Sequence, residues 1–255
     1  MTPTQWQRQQ FPHRQQDRLQ VVFDGVDTRM FRPEPWSGTV VLQGEASEQP
    51  LRLEQHHRVL SYATRGMEPL RGFPEFMRML PALMQRFSDL HVVVAGNDRV
   101  AYSYGAPSQG GSWKQHLLAE LDGQLDRARL HFTGSLNCSD DIRMLQRSDL
   151  HVIFSRPYVT SWGLFQAAAC GARLLLNREP GIQSVVPEHQ AIWVDLDQPL
   201  QLEATASEAL ADAIEQRSQP RISLLKPEWE IRSCLQRWQD LINQALKQTQ
   251  AASGS

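Results

Sequence analysis

Short, nearly continuous apolar runs alternate with segments of helical period along most of this 255-residue chain, and that alternation limits its fold more than any other feature. "RVLSYATRG" (58–66), "DLHVVVAGND" (89–98), "RLHFTG" (129–134), "DLHVIFSRP" (149–157), "ARLLLNREPG" (172–181) and "AIWVDL" (191–196) read as strands. Between them, "FPEFMRMLPALMQRF" places Phe73, Phe76, Met77, Leu80, Leu83 and Met84 on one helical face, with Pro81 predicted to bend or split the helix. "SWKQHLLAELDG", "CSDDIRMLQRS" with a Ser139 cap, and residues 206–216 read as further helices. Strands that are apolar on both faces belong to a covered parallel sheet, so the pattern predicts an α/β fold, Rossmann-like and doubly wound. In such sheets ligands bind at the carboxyl ends of the strands. Hence the chemistry is expected in the loops that follow the strands.

The rest of the chain divides into flanking pieces. "LQVVFDGVD" (19–27) reads as a strand entering an Asp-Gly turn, within a segment 1–36; 37–57 reads as a linker or small hairpin. The main domain is predicted over 58–226. A long amphipathic helix over 227–247 carries Ile231, Leu235, Trp238, Ile242 and Ala245 on a stripe, and 248–255 reads as a disordered tail. No internal repeat is evident.

Several function classes fall away on charge and motif. A net charge of −2 gives no basic excess for nucleic acid or an anionic membrane. No apolar stretch reaches the length of a transmembrane segment, and the Gln- and Arg-rich start is not a signal peptide, so a cytoplasmic protein is expected. Cys138, Cys170 and Cys234 form no metal or disulfide pattern, which predicts reduced thiols. Neither G-x-x-x-x-G-K-[ST] nor G-x-G-x-x-G occurs. Asp24 and Asp27 fit a tight turn better than a calcium loop, and His56 and His57, being adjacent, suit a linker better than a metal pair. His131 and His151 lie inside apolar strands and read as core or strand-end residues.

One loop does carry a phosphate-binding pattern. "TRGMEPLRGF" follows the first main strand, with Arg65 and Arg71 flanking a Pro69 turn and Gly72 opening the next helix. Two guanidinium forks on one loop at a strand's carboxyl end suit a diphosphate. The same spacing also fits two solvated arginines of an ordinary loop.

Taken together, "YATRGMEPLRGFPEFMRMLPAL", "VVVAGND", "RLHFTGSL" and "SDLHVIFSRPYVTSWGLFQAAACGARLL" resemble the C-terminal half of group 1 glycosyltransferases of the GT-B fold. The likeness runs in order from residue 19 to about 195, and "FPHRQQDRLQVVFDGVDTRMFRP" resembles the segment joining the two GT-B domains. The resemblance implies a retaining hexose transfer from a nucleoside diphosphate sugar, UDP-, GDP- or ADP-linked, without a required metal or other cofactor. It implies that Arg65 and Arg71 act catalytically on the donor diphosphate, with Gly72 shaping their loop. It implies that Ser161, Trp162 and Gly163 present helix N-terminal amides to the same phosphates, and that Leu136 borders the nucleobase. The broad family has two glutamates eight residues apart where this chain has Tyr158 and Gln166. A glutamine still accepts a hydrogen bond from a ribose hydroxyl, at a cost of about 1–2 kcal/mol in binding; a plain surface helix residue is the other reading of Gln166.

The resemblance also implies that an N-terminal acceptor domain, or a partner chain, completes the protein, and that this chain alone transfers little. The long C-terminal helix is then expected to pack either on that domain or on its own sheet. Peripheral association with the inner membrane is a further expectation by analogy with glycan pathways. A degenerate, non-catalytic binding or scaffold module is the alternative, and a GT-B sugar-nucleotide epimerase a third reading.

Overall fold

The computed structural model describes residues 1–253 apart from Ser47, Tyr104, Ala106, Ser108, Gln109 and residues 158–160. The chain opens with α1 (Gln5–Gln9) and α2 (His13–Gln16), followed by β1 (Val40–Leu42) and β2 (Leu51–Leu53), which pair antiparallel as a hairpin. A parallel sheet then forms from β3 (Arg58–Thr64), β4 (Leu90–Gly96), β5 (Leu130–Gly134), β6 (Leu150–Ile153), β7 (Leu174–Asn177) and β8 (Ile192–Val194). Its order is β5-β4-β3-β6-β7-β8. The connecting helices are α3 (Phe73–Arg86), α4 (Trp113–Glu120), α5 (Cys138–Arg147), α6 (Trp162–Ala169) and α7 (Pro180–Gln183). The chain ends through α8 (Pro199–Ala211), α9 (Ala213–Gln216) and α10 (Ile231–Ser253). This is the Rossmann-like doubly wound arrangement that the alternating pattern predicts.

The order of the strands fixes where a ligand can sit. From β3 the chain steps outward to β4 and β5, then returns to the other side of β3 with β6 and continues to β8. The switch point therefore lies at the carboxyl ends of β3 and β6, where sheets of this kind hold their ligand crevice.

Two cores explain why the strands are apolar throughout. Successive strand residues point to opposite faces. Leu60, Tyr62, Val92, Val94 and Val152 face one core beneath α3 and α8, whereas Val59, Val93, Ala95, Leu174 and Leu176 face another with Leu164 and Phe165 of α6. Each such fully buried side chain contributes about 1.5–3 kcal/mol. Polar residues on the second face are matched. The Ser61 hydroxyl lies 2.7 Å from His151 Nδ1 and bonds the Ser148 hydroxyl, which lies 2.7 Å from the Met144 carbonyl oxygen. Burial depresses the His151 pKa to about 4, so this imidazole stays neutral in the core.

Several local expectations are corrected. Residues 19–27 form no strand; Val21 and Val26 make only isolated bridges, to Thr2 and Glu230. Their partners belong to the two chain termini rather than to a sheet. Phe23, Val26 and Phe31 nonetheless enter the second core, where the Phe23 and Phe165 rings lie 4.1 Å apart. The Ile231 amide donates to the Val26 carbonyl at 2.9 Å and the Trp238 indole to the Phe23 carbonyl at 3.3 Å. Gly25 permits this approach, since at its φ of 92° an added Cβ would stand 2.6 Å from Ile231 Cα. The first turns of α10 thus pack on the N-terminal segment, while Leu235, Ile242 and Leu246 stay about half exposed.

Pro81 leaves α3 a single helix over Phe73–Arg86, because Phe76, Met77, Leu80, Leu83 and Met84 on either side of it are held in the core. The cap of α5 is Asn137, whose side chain accepts from the Asp140 amide at 2.9 Å, two residues before the expected Ser139. The helix expected over 206–216 starts at Pro199, as proline is preorganised for a first turn, and is interrupted at Asp212. α10 continues to Ser253, into the segment expected to be a tail.

Candidate functional site

At the switch point the loop after β3 packs on the loop after β6. Gly72 takes a left-handed φ of 61°, and a Cβ there would stand 2.3 Å from the Phe154 Cβ, so only glycine lets the first loop close on the second. The Arg156 amide then donates to the Leu70 carbonyl at 2.8 Å. A third loop, after β4, is fastened by Glu68. This fully buried carboxylate accepts the backbone amides of Ala101, Tyr102 and Ser103 at 2.8–3.0 Å. Gly66 lies against the same loop, where a Cβ would meet the Arg99 carbonyl at 2.7 Å.

The geometry brings Arg65 and Arg71 together through Tyr102. Arg65 donates to the Tyr102 hydroxyl at 3.1 Å, and the Arg71 guanidinium lies 4.6 Å over the Tyr102 ring. Arg71 also donates to the Ser155 hydroxyl at 2.7 Å, and its carbonyl accepts from the Tyr62 hydroxyl at 2.7 Å. Ser155 is itself clamped, since the buried Asn177 side chain accepts from its amide at 2.9 Å and donates to its carbonyl at 3.0 Å. The hydrogen bond from Arg65 lowers the Tyr102 phenol below its ordinary pKa.

Charge pairing separates these two arginines from Arg156 and Arg178. Arg156 reaches Glu75 at 3.5 Å and Asp197 at 3.1 Å, and Arg178 reaches Glu188 at 2.6 Å. Arg65 and Arg71 make no ion pair among the described residues; the side-chain hydrogen bonds they donate go to neutral hydroxyls. Two guanidiniums without an ion-pair partner among the described residues, at the carboxyl end of the central strand, have the chemistry to pair with an anion.

α6 begins at Trp162, with Ser161 as its N-cap, directly beyond the β6 loop. Its amino end carries positive dipole potential. Trp162 is 60% exposed, Gly163 is exposed and Gln166 half-buried, while Leu164, Phe165 and Ala167 are in the core. Gln166 lies three and four residues beyond Gly163 and Trp162, on their open helix face. Leu136 sits farther out, after edge strand β5, where it bridges Gly44 of the hairpin loop. Its neighbour Ser135 donates to Asn97 at the end of β4 at 3.2 Å, which is its link toward the crevice. Tyr158 lies outside the described residues.

Sequence reasoning assigned no role to Glu68, Tyr102, Ser155 or Asn177. Glu68 stands between the two arginines in the quoted motif, and Asn177 is the polar residue closing an apolar strand; both signals were present. Nothing local marks Tyr102 or Ser155.

Comparison with known proteins supports the architecture. A family model described as "Glycosyl transferase family 4 group" matches residues 1–31. No curated protein sequence matches the chain. Among solved structures, the C-terminal domain of a glycosyl transferase group 1 family protein (LpcC) from Francisella tularensis superposes with a TM-score of 0.58 at 15% identity. That match covers 81% of this chain and 100% of the other. A point mutant of S. aureus TarM, solved in complex with fondaparinux, alpha-GlcNAc-glycerol and UDP, gives 0.59 at 13% identity, covering 95% of this chain and 43% of TarM. Anabaena Alr3699/HepE, solved with UDP and glucose, gives 0.55 at 15% identity, covering 88% of this chain and 57% of that one. The chain thus spans about half the length of these two proteins. Its fold is that of the C-terminal half of a GT-B glycosyltransferase. No helix among the described residues is long and apolar enough to cross a membrane.

Proposed function

We propose that this chain is the donor-binding half of a retaining glycosyltransferase that moves a hexose from a nucleoside diphosphate sugar to a glycan or other acceptor. The observation that carries the reading is the pair Arg65 and Arg71, held at the switch point of the sheet without a carboxylate partner among the described residues. In this role the two guanidiniums stabilise the charge that develops on the departing diphosphate. The α6 amino end at Ser161, Trp162 and Gly163 adds backbone amides. Gln166, on the open face of the same helix, accepts from the donor ribose, and Leu136 borders the base.

Tyr102 occupies the ground between the arginines, so the diphosphate displaces its hydroxyl from Arg65 on binding. The acceptor side comes from an N-terminal domain or a partner chain, in keeping with the greater length of TarM and HepE. Gln166 also favours a second reading, in which the same site binds a nucleotide without turnover.

Calorimetric titration of the protein with UDP, GDP and ADP tests the donor site. Micromolar binding of one nucleotide, weakened at least about a hundredfold in the Arg65→Gln/Arg71→Gln double variant, is expected, since each charge-assisted contact contributes about 1.5–3 kcal/mol. Equal affinity in the double variant would refute the assignment. Hydrolysis or transfer of the matching sugar nucleotide then separates the enzyme from the binding module.

A further inference from the structure

The amino end of the sheet, opposite the crevice, holds a second concentration of cationic charge. An open cavity of about 340 Å³ lies between the start of β7, the start of β8 and the segment after α9, within the roughly 300–1,000 Å³ of small-molecule sites. Arg173, Arg217 and Arg221 line it together with His189 and Gln216, and Asp149 is the carboxylate among the lining residues. Behind it, the fully buried Arg147 pairs with the same Asp149 at 3.3 Å.

The arginines are not equivalent. Arg217 donates to both carboxylate oxygens of Asp149 and to the carbonyls of Gln55 and His57, so it clamps the chain and is nearly saturated. Arg221 donates to the carbonyls of Leu145 and Ser148, and Arg173 to the Ala209 carbonyl. A guanidinium carries five N–H donors, so Arg173 and Arg221 retain donors beside the cavity. Desolvation lowers both below the usual arginine pKa, and the Arg217 charge adds to this at Arg221. Against Arg147, Arg173, Arg217 and Arg221 stand two carboxylates, Asp149 shared by Arg147 and Arg217 and Asp212 acting on Arg173, so the cavity wall stays positive.

We propose that this cavity binds a phosphate-bearing small molecule or headgroup, held by Arg173 and Arg221. The forks approach from separate segments, the residue before β7 and the stretch after α9, and a tetrahedral oxyanion accepts from several directions where a planar carboxylate serves one or two. The cavity exceeds the needs of a lone phosphate group, and Ile222 and Leu224 offer apolar wall to an organic portion. This site is separate from the crevice and does not depend on the function proposed above.

The test measures thermal unfolding of the full chain against inorganic phosphate, with chloride at matched ionic strength as reference. A second arm measures co-sedimentation with vesicles of phosphatidylcholine with and without phosphatidate. Saturable stabilisation by phosphate that persists in Arg65→Gln/Arg71→Gln is expected, with affinity falling about tenfold in Arg221→Gln. Because Arg221 also fastens two carbonyls, Gln216→Glu is the companion variant; it keeps every arginine, adds a carboxylate at the rim and is expected to weaken binding similarly. Phosphatidate-dependent sedimentation abolished by Gln216→Glu would assign the site to a headgroup, and a phosphate response without sedimentation to a free ligand. No response in either arm, or a response lost in Arg65→Gln/Arg71→Gln yet intact in Gln216→Glu, overturns the proposal.

Discussion

The two ends of the sheet use the same side chain for different work. At the carboxyl end, Arg65 and Arg71 rest on hydroxyls and a tyrosine ring, and their loop is held by other groups: Glu68, Gly72 and the Tyr62 hydroxyl. At the amino end, Arg147 is itself the fastener. It is fully buried, pairs with Asp149, donates to the carbonyls of Glu54 and His57 at 2.9 and 2.6 Å, and lies 3.9 Å over the Trp36 ring. Through these contacts the segment before β3 and the residues after α5 become one unit. An arginine positioned by others keeps its donors for a ligand; one fully buried among the groups it positions, as Arg147 is, does not.

The comparison breaks if stability tracks both ends alike. Arg147→Met takes one donor from each of the Glu54 and His57 carbonyls, which keep the His57 amide and Arg217, and leaves the buried Asp149 with Arg217 as its remaining ion-pair partner, so a loss of about 2–4 kcal/mol is expected. Arg71→Gln, at a half-exposed position with a neutral partner, should cost under about 1 kcal/mol. Urea unfolding of the two variants decides the point: equal losses would mean that Arg71 is as structural as Arg147.

A histidine stack at the amino end sharpens the contrast through pH. His57 and His91 rings lie 3.8 Å apart, and His91 and His131 rings 5.2 Å apart with their nitrogens at 2.9 Å. The two histidines expected to be linker residues therefore include one, His57, that packs on the sheet. Burial, with like charge from the neighbouring histidines, lowers the His91 pKa to about 4, and His57 and His131 are lowered as well. An unfolded histidine takes its proton near pH 6.5, so below that value the unfolded chain binds more protons than the folded one. The histidines' contribution to stability is full above about pH 6.5 and declines as pH falls toward 4. His91→Gln should remove about 1–2 kcal/mol of the decline, after allowing for partial exposure. Chemical unfolding at pH 7 and pH 5 reads this directly; an unchanged pH dependence would show that the stack does not couple to folding.

How much of this was legible in the sequence follows from the range of the interactions. The strands of the sheet were readable because burial on both faces leaves an unbroken apolar run. Residues 19–27 carry a similar run yet form no strand, since pairing depends on a neighbour that only the tertiary fold supplies, and here the neighbours are Thr2 and Glu230. Arg65 and Arg71 were visible because both lie on one loop. Tyr102, Ser155 and Asn177, which hold them in place, reach the crevice from the ends of three other strands, and no local pattern marks such a convergence. Glu68 was visible but unread, because its task is to fasten the Ala101–Ser103 amides of a distant loop.

Gln166 gives the smallest and most selective test of the crevice. Its helix face is open, its neighbours Leu164, Phe165 and Ala167 carry the packing, and a change at this position leaves the core untouched. Gln166→Glu retains an acceptor of the same reach and adds charge, which strengthens a hydrogen bond from a ribose hydroxyl. If the donor reading is right, nucleotide affinity rises by about 1–2 kcal/mol, a five- to thirtyfold fall in Kd, with thermal stability unchanged. The base preferred by the wild type should also be preferred by the variant, because the substitution touches the sugar and not the base. An affinity that does not move in Gln166→Glu while Arg71→Gln abolishes binding would confine the ligand to the arginine side of the crevice and return Gln166 to the helix surface.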